Sequence, residues 1–264
     1  MRTIEKTVIT LVLLFNLVSC KKQINTEEIP QAVKDKIFAL GFSTKNLQKI
    51  DDGYLVEGDI FLSSSDIDSK PLTQFLRIAG NEQYRVSNLL TGLPRTLTIS
   101  LSGNLPSAYG AALNEAINRF NAENLQLHFQ RVNTNADIEL IKGIGNFISS
   151  SGLPSLDGTP FRIIKLNSLF IGSGDSSSTF INYLATLMAH EIGHCIGFRH
   201  TDYMNRSFSC NGRSVNEGAG STGAVNIPGT PTGSDSGSWM LACITANQNR
   251  PFNENDKIAL SYLY

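Results

Sequence analysis

His190-Glu191-Ile192-Gly193-His194-Cys195-Ile196-Gly197-Phe198-Arg199-His200 fits the pattern HExxHxxGxxH at every fixed position. Residues four apart lie on one face of a helix, so the imidazoles of His190 and His194 converge on one metal ion. Glu191 falls beside that ion. Gly197, three residues after the second imidazole, suits a left-handed conformation that ends the helix and turns the chain back, bringing in His200 as third ligand. Three protein ligands leave the fourth position of a Zn2+ ion open to water, which is the arrangement of a catalytic rather than a structural site. The chain has 4 histidines, and three of them stand at ligand positions. The other, His128, sits in Leu125-Gln126-Leu127-His128-Phe129, where alternation turns the apolar residues inward and His128 out of a strand.

Downstream, Ser238-Trp239-Met240 supplies a Ser-x-Met sequence. Met240 alone reads as a core residue; behind the extended zinc motif it reads as a Met-turn, and the two together mark the metzincin metalloproteases. The chain resembles that group. The letters HEIGH, the lipoprotein-like start and the closing Leu260-Ser261-Tyr262-Leu263-Tyr264 resemble the bacterial dual-action HEIGH metallo-peptidase family in particular. The resemblance implies an α+β catalytic domain over residues 93–264, with a twisted mixed sheet, an active-site helix, a Met-turn and a C-terminal helix. It implies one catalytic Zn2+ on His190, His194 and His200, Glu191 as general base, and a protein or peptide substrate. Two other readings stay open: a surface-anchored zinc-binding lipoprotein with this fold but no turnover, in which Glu191 is a plain carboxylate, and a zinc hydrolase acting on another bond. In astacins and serralysins a Tyr two residues after the Met reaches the metal, whereas Ala242 stands there in this chain. Asp202, two residues after His200, either orients that imidazole or caps a turn.

The N-terminus has a basic start (Arg2, Lys6), an apolar run from Val8 to Val18, and Leu17-Val18-Ser19-Cys20. The run is shorter than the roughly 20 apolar residues that span a bilayer, and it ends as secretory signals do. Residues 1–19 resemble a lipoprotein signal peptide, with Cys20 lipidated as the first mature residue and the protein held at the bacterial cell envelope, or released after processing. An ordinary cleaved signal with an incidental Cys20 is the alternative. Export places Cys195, Cys210 and Cys243 where disulfides form. Three thiols leave one free; Cys210 with Cys243 is the expected pair, because that bond closes the long loop between the third ligand and the Met-turn. The net charge of -1 and the absence of a Lys/Arg cluster give no case for nucleic acid.

Residues 20–92 read as an appendage or prosegment, with a helix from Ile29 to Leu40 ended by Gly41. Within them, Val56-Glu57-Gly58-Asp59 resembles the Phe-x-Gly-Asp motif of astacin prosegments, with Val56 in place of the aromatic. That resemblance implies that Asp59 occupies the open zinc position and keeps a zymogen silent; the other reading is a strand and turn with a solvated Asp59. Removal near Arg85 or Arg95 would release the catalytic part. In that part, alternation predicts strands over Thr96–Leu101, Leu125–Val132, Ala136–Ile141 and Phe161–Leu166. Helical spacing predicts a helix capped by Ser107 through Asn121, and another over Thr179–Cys195. The Gly-, Ser- and Pro-rich stretch 143–158 would hold, by the metzincin resemblance, the edge strand along which a substrate pairs. The segment between His200 and Met240, rich in Gly, Ser, Thr, Asn and Pro and including 217–223, corresponds by the same resemblance to a wall of the specificity pocket and is a candidate for substrate selection; the other reading is a solvated excursion without a role. Asn253 with Asp256 three residues on is an acidic variant of the capping box, placed before a terminal helix.

Overall fold

The computed structural model describes residues 28–68, 83–212, 216, 224–231 and 234–264. Cys20, its signal segment and the Gly-rich residues 217–223 lie outside the described residues.

Among the described residues, two hydrophobic clusters organise the fold. The smaller is built by α1 (Gln31–Leu40), β1 (Gln48–Ile50), β2 (Gly53–Val56), β3 (Ile60–Ser63) and α2 (Ser64–Asp68), the strands forming an antiparallel meander. Ile37, Leu40, Phe42, Val56, Ile60, Leu62 and Ile67 make its core. Gly41, with φ 97°, ends α1 and donates its N–H back to Phe38.

The larger body begins earlier than residue 93. Strand β4 (Tyr84–Arg85) pairs with β10 (Val225–Asn226), Arg85 bridges Phe198, and Leu90 belongs to the large core. The main sheet has five strands: β5 (Arg95–Leu101), β6 (Leu127–Arg131), β7 (Ile138–Lys142), β8 (Ser149–Ser150) and β9 (Ile163–Leu166). Their order is β6-β5-β7-β9-β8, parallel except for β8, which runs antiparallel to β9 at the edge. The inward residues of these strands, Leu97, Ile99, Leu127, Phe129, Ile138, Leu140, Ile164 and Leu166, are all buried, while His128 is exposed. The sheet is therefore the mixed one expected; β5 starts one residue earlier than the alternation suggested, β6 and β9 are trimmed to Leu127–Arg131 and Ile163–Leu166, and β7 is shifted to Ile138–Lys142.

Helix α3 (Ala108–Asn121) and the zinc-motif helix α5 (Ser178–Cys195) pack on this sheet and on each other. Arg119 of α3 donates to Thr186 and Asn182 of α5 and to Asn249. Ser107 does not cap α3 as expected. Its backbone is already helical (φ -59°, ψ -35°), so its hydroxyl is not placed to receive the orphan N–H groups of the first turn. Short helices α4 (Ser168–Ile171) and α6 (Ser207–Cys210) flank the motif. The C-terminal helix α7 (Glu254–Leu263) opens with the full reciprocal box, Asn253 receiving the Asp256 N–H and Asp256 receiving the Asn253 N–H. Among the described residues no helix is long and apolar enough to cross a membrane.

Candidate metal centre

Helix α5 carries His190 and His194 one turn apart, and Gly197, with φ 110°, turns the chain out of it. Phe198 then donates its N–H to Gly193 and Thr201 donates to Met240, which seats His200 against the helix. Three ring nitrogens converge: His194 Nε2 lies 3.1 Å from His190 Nε2 and 3.2 Å from His200 Nε2. Asp59, from the turn before β3, closes the group. Its Oδ2 is 3.1 Å from His200 Nε2 and 3.5 Å from His190 Nε2, and its Oδ1 is 4.0 Å from His194 Nε2. A tetrahedron with Zn–N bonds of about 2.0–2.1 Å has edges of about 3.3 Å, so the four groups have the spacing of one zinc ion's ligands.

The hydrogen bonds around the rings point the same way. His190 Nδ1 faces the Trp239 carbonyl at 3.0 Å, and His194 Nδ1 faces the Phe198 carbonyl at 2.8 Å. Carbonyl oxygens only accept, so both Nδ1 atoms carry the proton and both Nε2 atoms present lone pairs to each other. Two lone pairs 3.1 Å apart in a buried site repel unless a cation lies between them. Burial holds the His194 imidazole well below its usual pKa, with the neighbouring His190 and His200 adding to the effect. For Asp59 burial opposes ionisation, but the charge of His200 and hydrogen bonds from His190 and His200 outweigh it and hold the carboxyl well below its ordinary range. Three imidazoles and one carboxylate in this arrangement thus fit a single zinc ion.

Glu191 is fully buried. Its Oε2 accepts from the Ser151 hydroxyl at 2.6 Å, and its Oε1 has no hydrogen-bond partner. Burial, then the charge of Asp59, raises this carboxyl to about 8. Sequence reasoning missed Ser151, which stands in a run of small polar residues; the signal available was the triple serine 149–151 within the stretch expected to hold an edge strand.

Met240 and Trp239 pack directly beneath Gly193, where a Cβ would lie 2.6 Å from both Met240 Sδ and Trp239 Cη2. Ser238 donates to Asp256 at 2.9 Å, and Asp256 also receives Gln83 Nε2 and the Trp239 N–H. The turn under the zinc helix is therefore tied to the first turn of α7. Asp202 Oδ1 receives the Ala242 N–H at 2.9 Å and Oδ2 receives the N–H and hydroxyl of Ser209, which gives it the turn-capping role. Cys210 and Cys243 are bonded to each other, with Cα atoms 5.0 Å apart, and Cys195 is a free, buried thiol whose pKa burial raises.

No curated protein sequence matches the chain. Solved structures to which the chain is similar include two of myroilysin. One is 18% identical, with a TM-score of 0.41, covering 67% of this chain and 96% of that one. The other is 14% identical, with a TM-score of 0.37, covering 65% and 83%. A third, high choriolytic enzyme 1, a hatching zinc-protease of the medaka fish Oryzias latipes, is 22% identical, with a TM-score of 0.26, covering 40% and 44%. The profile of the dual-action HEIGH metallo-peptidases runs over residues 55–264, through the Asp59 turn, the zinc motif and the Met240 turn alike, and the chain therefore belongs to that family of zinc-dependent metalloproteases.

Proposed function

We propose that the chain is an endopeptidase whose intact form is latent, with Asp59 occupying the position that water takes in the active enzyme. The observation that carries this reading is the Asp59 carboxylate 3.1 to 4.0 Å from all three imidazoles. Backbone pairing supports it. Ser151 donates its N–H to the Asp59 carbonyl at 2.9 Å, and Phe61 donates to the Ser151 carbonyl, so residues 59–61 lie on the free edge beyond β8. An extended peptide adds to a sheet edge in the same way. The small unit thus covers both the metal position and the edge that a peptide would use.

Zinc, when bound, supplies Lewis acidity toward a water molecule and toward the scissile carbonyl. His190 and His194 hold their Nε2 lone pairs toward the ion through the Nδ1 bonds described above. Glu191 Oε1, the partnerless oxygen, takes the proton of the attacking water, and the Ser151 hydroxyl holds the other oxygen in place. Glu191 then returns the proton to the leaving amine. Tyr84 and Arg85 are built into the larger body, and Arg95 opens β5, so separation of the small unit requires a cut N-terminal to Gln83 rather than near Arg85 or Arg95. Export as a lipoprotein through Cys20, at the cell envelope, completes the proposal; palmitate labelling that persists in Cys20→Ser would reject it.

The test of latency and base uses the full chain with casein, before and after limited trypsin treatment. The intact chain is expected to be silent, the treated chain active, Asp59→Ala active without treatment, and Glu191→Ala silent throughout with zinc still bound. An Asp59→Ala chain as silent as the intact parent rejects latency. Hydrolysis by Glu191→Ala rejects the assigned base.

A further inference from the structure

Beside the metal cluster, the small unit makes a second contact that the chemistry does not require. The side chains of Glu57 and Arg199 are both fully buried, and Arg199 Nη2 lies 2.8 and 2.9 Å from the two carboxylate oxygens. The guanidinium also stacks on Phe42, 4.7 Å from the ring centroid, and stands 6.0 Å from the Tyr203 ring. Arg206 donates to the Glu57 carbonyl, and its Nε reaches the disulfide at Cys210 Sγ, 3.3 Å away. Two arginines of the larger body therefore grip one acidic residue that stands two positions before Asp59.

A buried ion pair is a poor way to glue two surfaces together, because desolvation of the charges offsets most of their attraction and apolar residues serve as well. What this pair does provide is recognition of a carboxylate. When the small unit leaves, Glu57 and Phe42 leave with it. Arg199 stays, because it adjoins ligand His200 and its backbone N–H is held by the Tyr84 carbonyl at 2.9 Å. Its guanidinium then lines the cleft one residue from the metal cluster, shaped to a carboxylate.

We propose that Arg199 selects the substrate: the processed enzyme prefers peptides with a Glu or Asp side chain within two residues of the bond it cuts, and Glu57 occupies that subsite in the intact chain. This rests on the latent-endopeptidase reading above. Arg199 forms the ion pair with the substrate carboxylate, and Arg206 supports the peptide backbone beside it.

The experiment uses the zinc-loaded full chain after trypsin treatment, with loss of Glu57 checked by mass spectrometry. Quenched fluorescent peptides are built on a casein sequence that this preparation cleaves, and Glu, Gln or Lys is placed in turn at each of the two positions on either side of the cut. At one position the Glu peptide is expected to exceed the Gln peptide in kcat/KM by roughly ten- to a hundredfold, the range of a charge-assisted hydrogen-bonded pair. The Lys peptide should fall below both. In Arg199→Gln the Glu-to-Gln ratio falls to about one, and Arg199→Lys retains part of it. Equal kcat/KM for the Glu, Gln and Lys peptides at every position overturns the subsite and leaves the protease standing. A treated, zinc-loaded chain that leaves casein itself uncut overturns both. Full preference retained in a folded Arg199→Gln also overturns the assignment, and the wild-type series decides the matter alone if that variant does not fold.

Discussion

Replacing Gly193 by alanine asks whether the zinc helix is set by its own propensity or by the turn beneath it. Gly193 lies inside α5, where alanine is favoured over glycine by about 1 kcal/mol. Here, however, the added Cβ would sit 2.6 Å from Met240 Sδ and from Trp239 Cη2. Neither neighbour can give way. Both side chains are 0% exposed, and the indole is enclosed by Phe120, Phe198 and Phe252 at centroid distances of 5.4, 5.4 and 4.7 Å. Overpacking of this kind costs roughly 1–3 kcal/mol. Set against the gain in propensity, a net loss of about 1 kcal/mol remains, or a Tm lower by roughly 2–4 °C for a chain of this size. The Trp239 carbonyl also holds His190 Nδ1, so a displaced indole should weaken zinc binding by about tenfold or more. Thermal unfolding in excess chelator isolates the packing effect, and competition with a chromophoric chelator reads the affinity. A Tm that rises in chelator, as helix propensity alone demands, would refute the packing argument. An unchanged zinc affinity would remove the link through Trp239.

Removing the metal should itself destabilise the chain: at free zinc about a thousandfold above Kd, binding contributes about 4 kcal/mol, and an identical Tm with and without chelator would show that the cluster holds no ion. Burial pushes Asp256 up to about 7 against the hydrogen bonds it accepts. The folded carboxyl thus keeps its proton where the unfolded one, near 3.9, has lost it, and stability falls as pH rises from about 4 to 7, by up to about 4 kcal/mol. Urea midpoints across that range should fall less steeply in Asp256→Asn, and parallel slopes would contradict the shift. The disulfide closes a separation of 33 residues, for which loop-closure entropy gives roughly 3–4 kcal/mol. The Cys210→Ser, Cys243→Ser double variant should lose stability on that scale in urea, and alkylation of both cysteines in unreduced parent protein would disprove the bond.

What could be read from the sequence follows from the range of the interaction. His190, His194 and Gly197 act through helix geometry within a few residues, and Asn253 and Asp256 through a single turn, so pattern alone places them. The sheet strands were legible for the same reason, each alternating locally. Edge strand β8 has only two residues, too few for a period, and came only through the family resemblance. Ser107 failed because a capping letter does not say where a helix begins. Asp59 meets His200 across 141 positions, and only resemblance to a prosegment motif suggested it. Glu57 with Arg199, 142 apart, left no mark, since Arg199 occupies a variable position of the zinc pattern and Glu57 is one of several acidic residues in a turn. The bond from Gln83 to Asp256, across 173 residues, was equally invisible and shifted the start of the larger body upstream of residue 93.

The position of Asp59 also bears on when the ion is acquired. A site with four protein donors holds zinc as a structural site does, whereas three donors and a water hold it less firmly. On the latent-endopeptidase proposal, the intact chain is the form best fitted to capture metal from a scarce supply, and the cut that opens the site would follow loading. Under that proposal, metallation and activation would be two ordered stages in the life of one molecule, with the small unit serving as the mould in which the centre is charged.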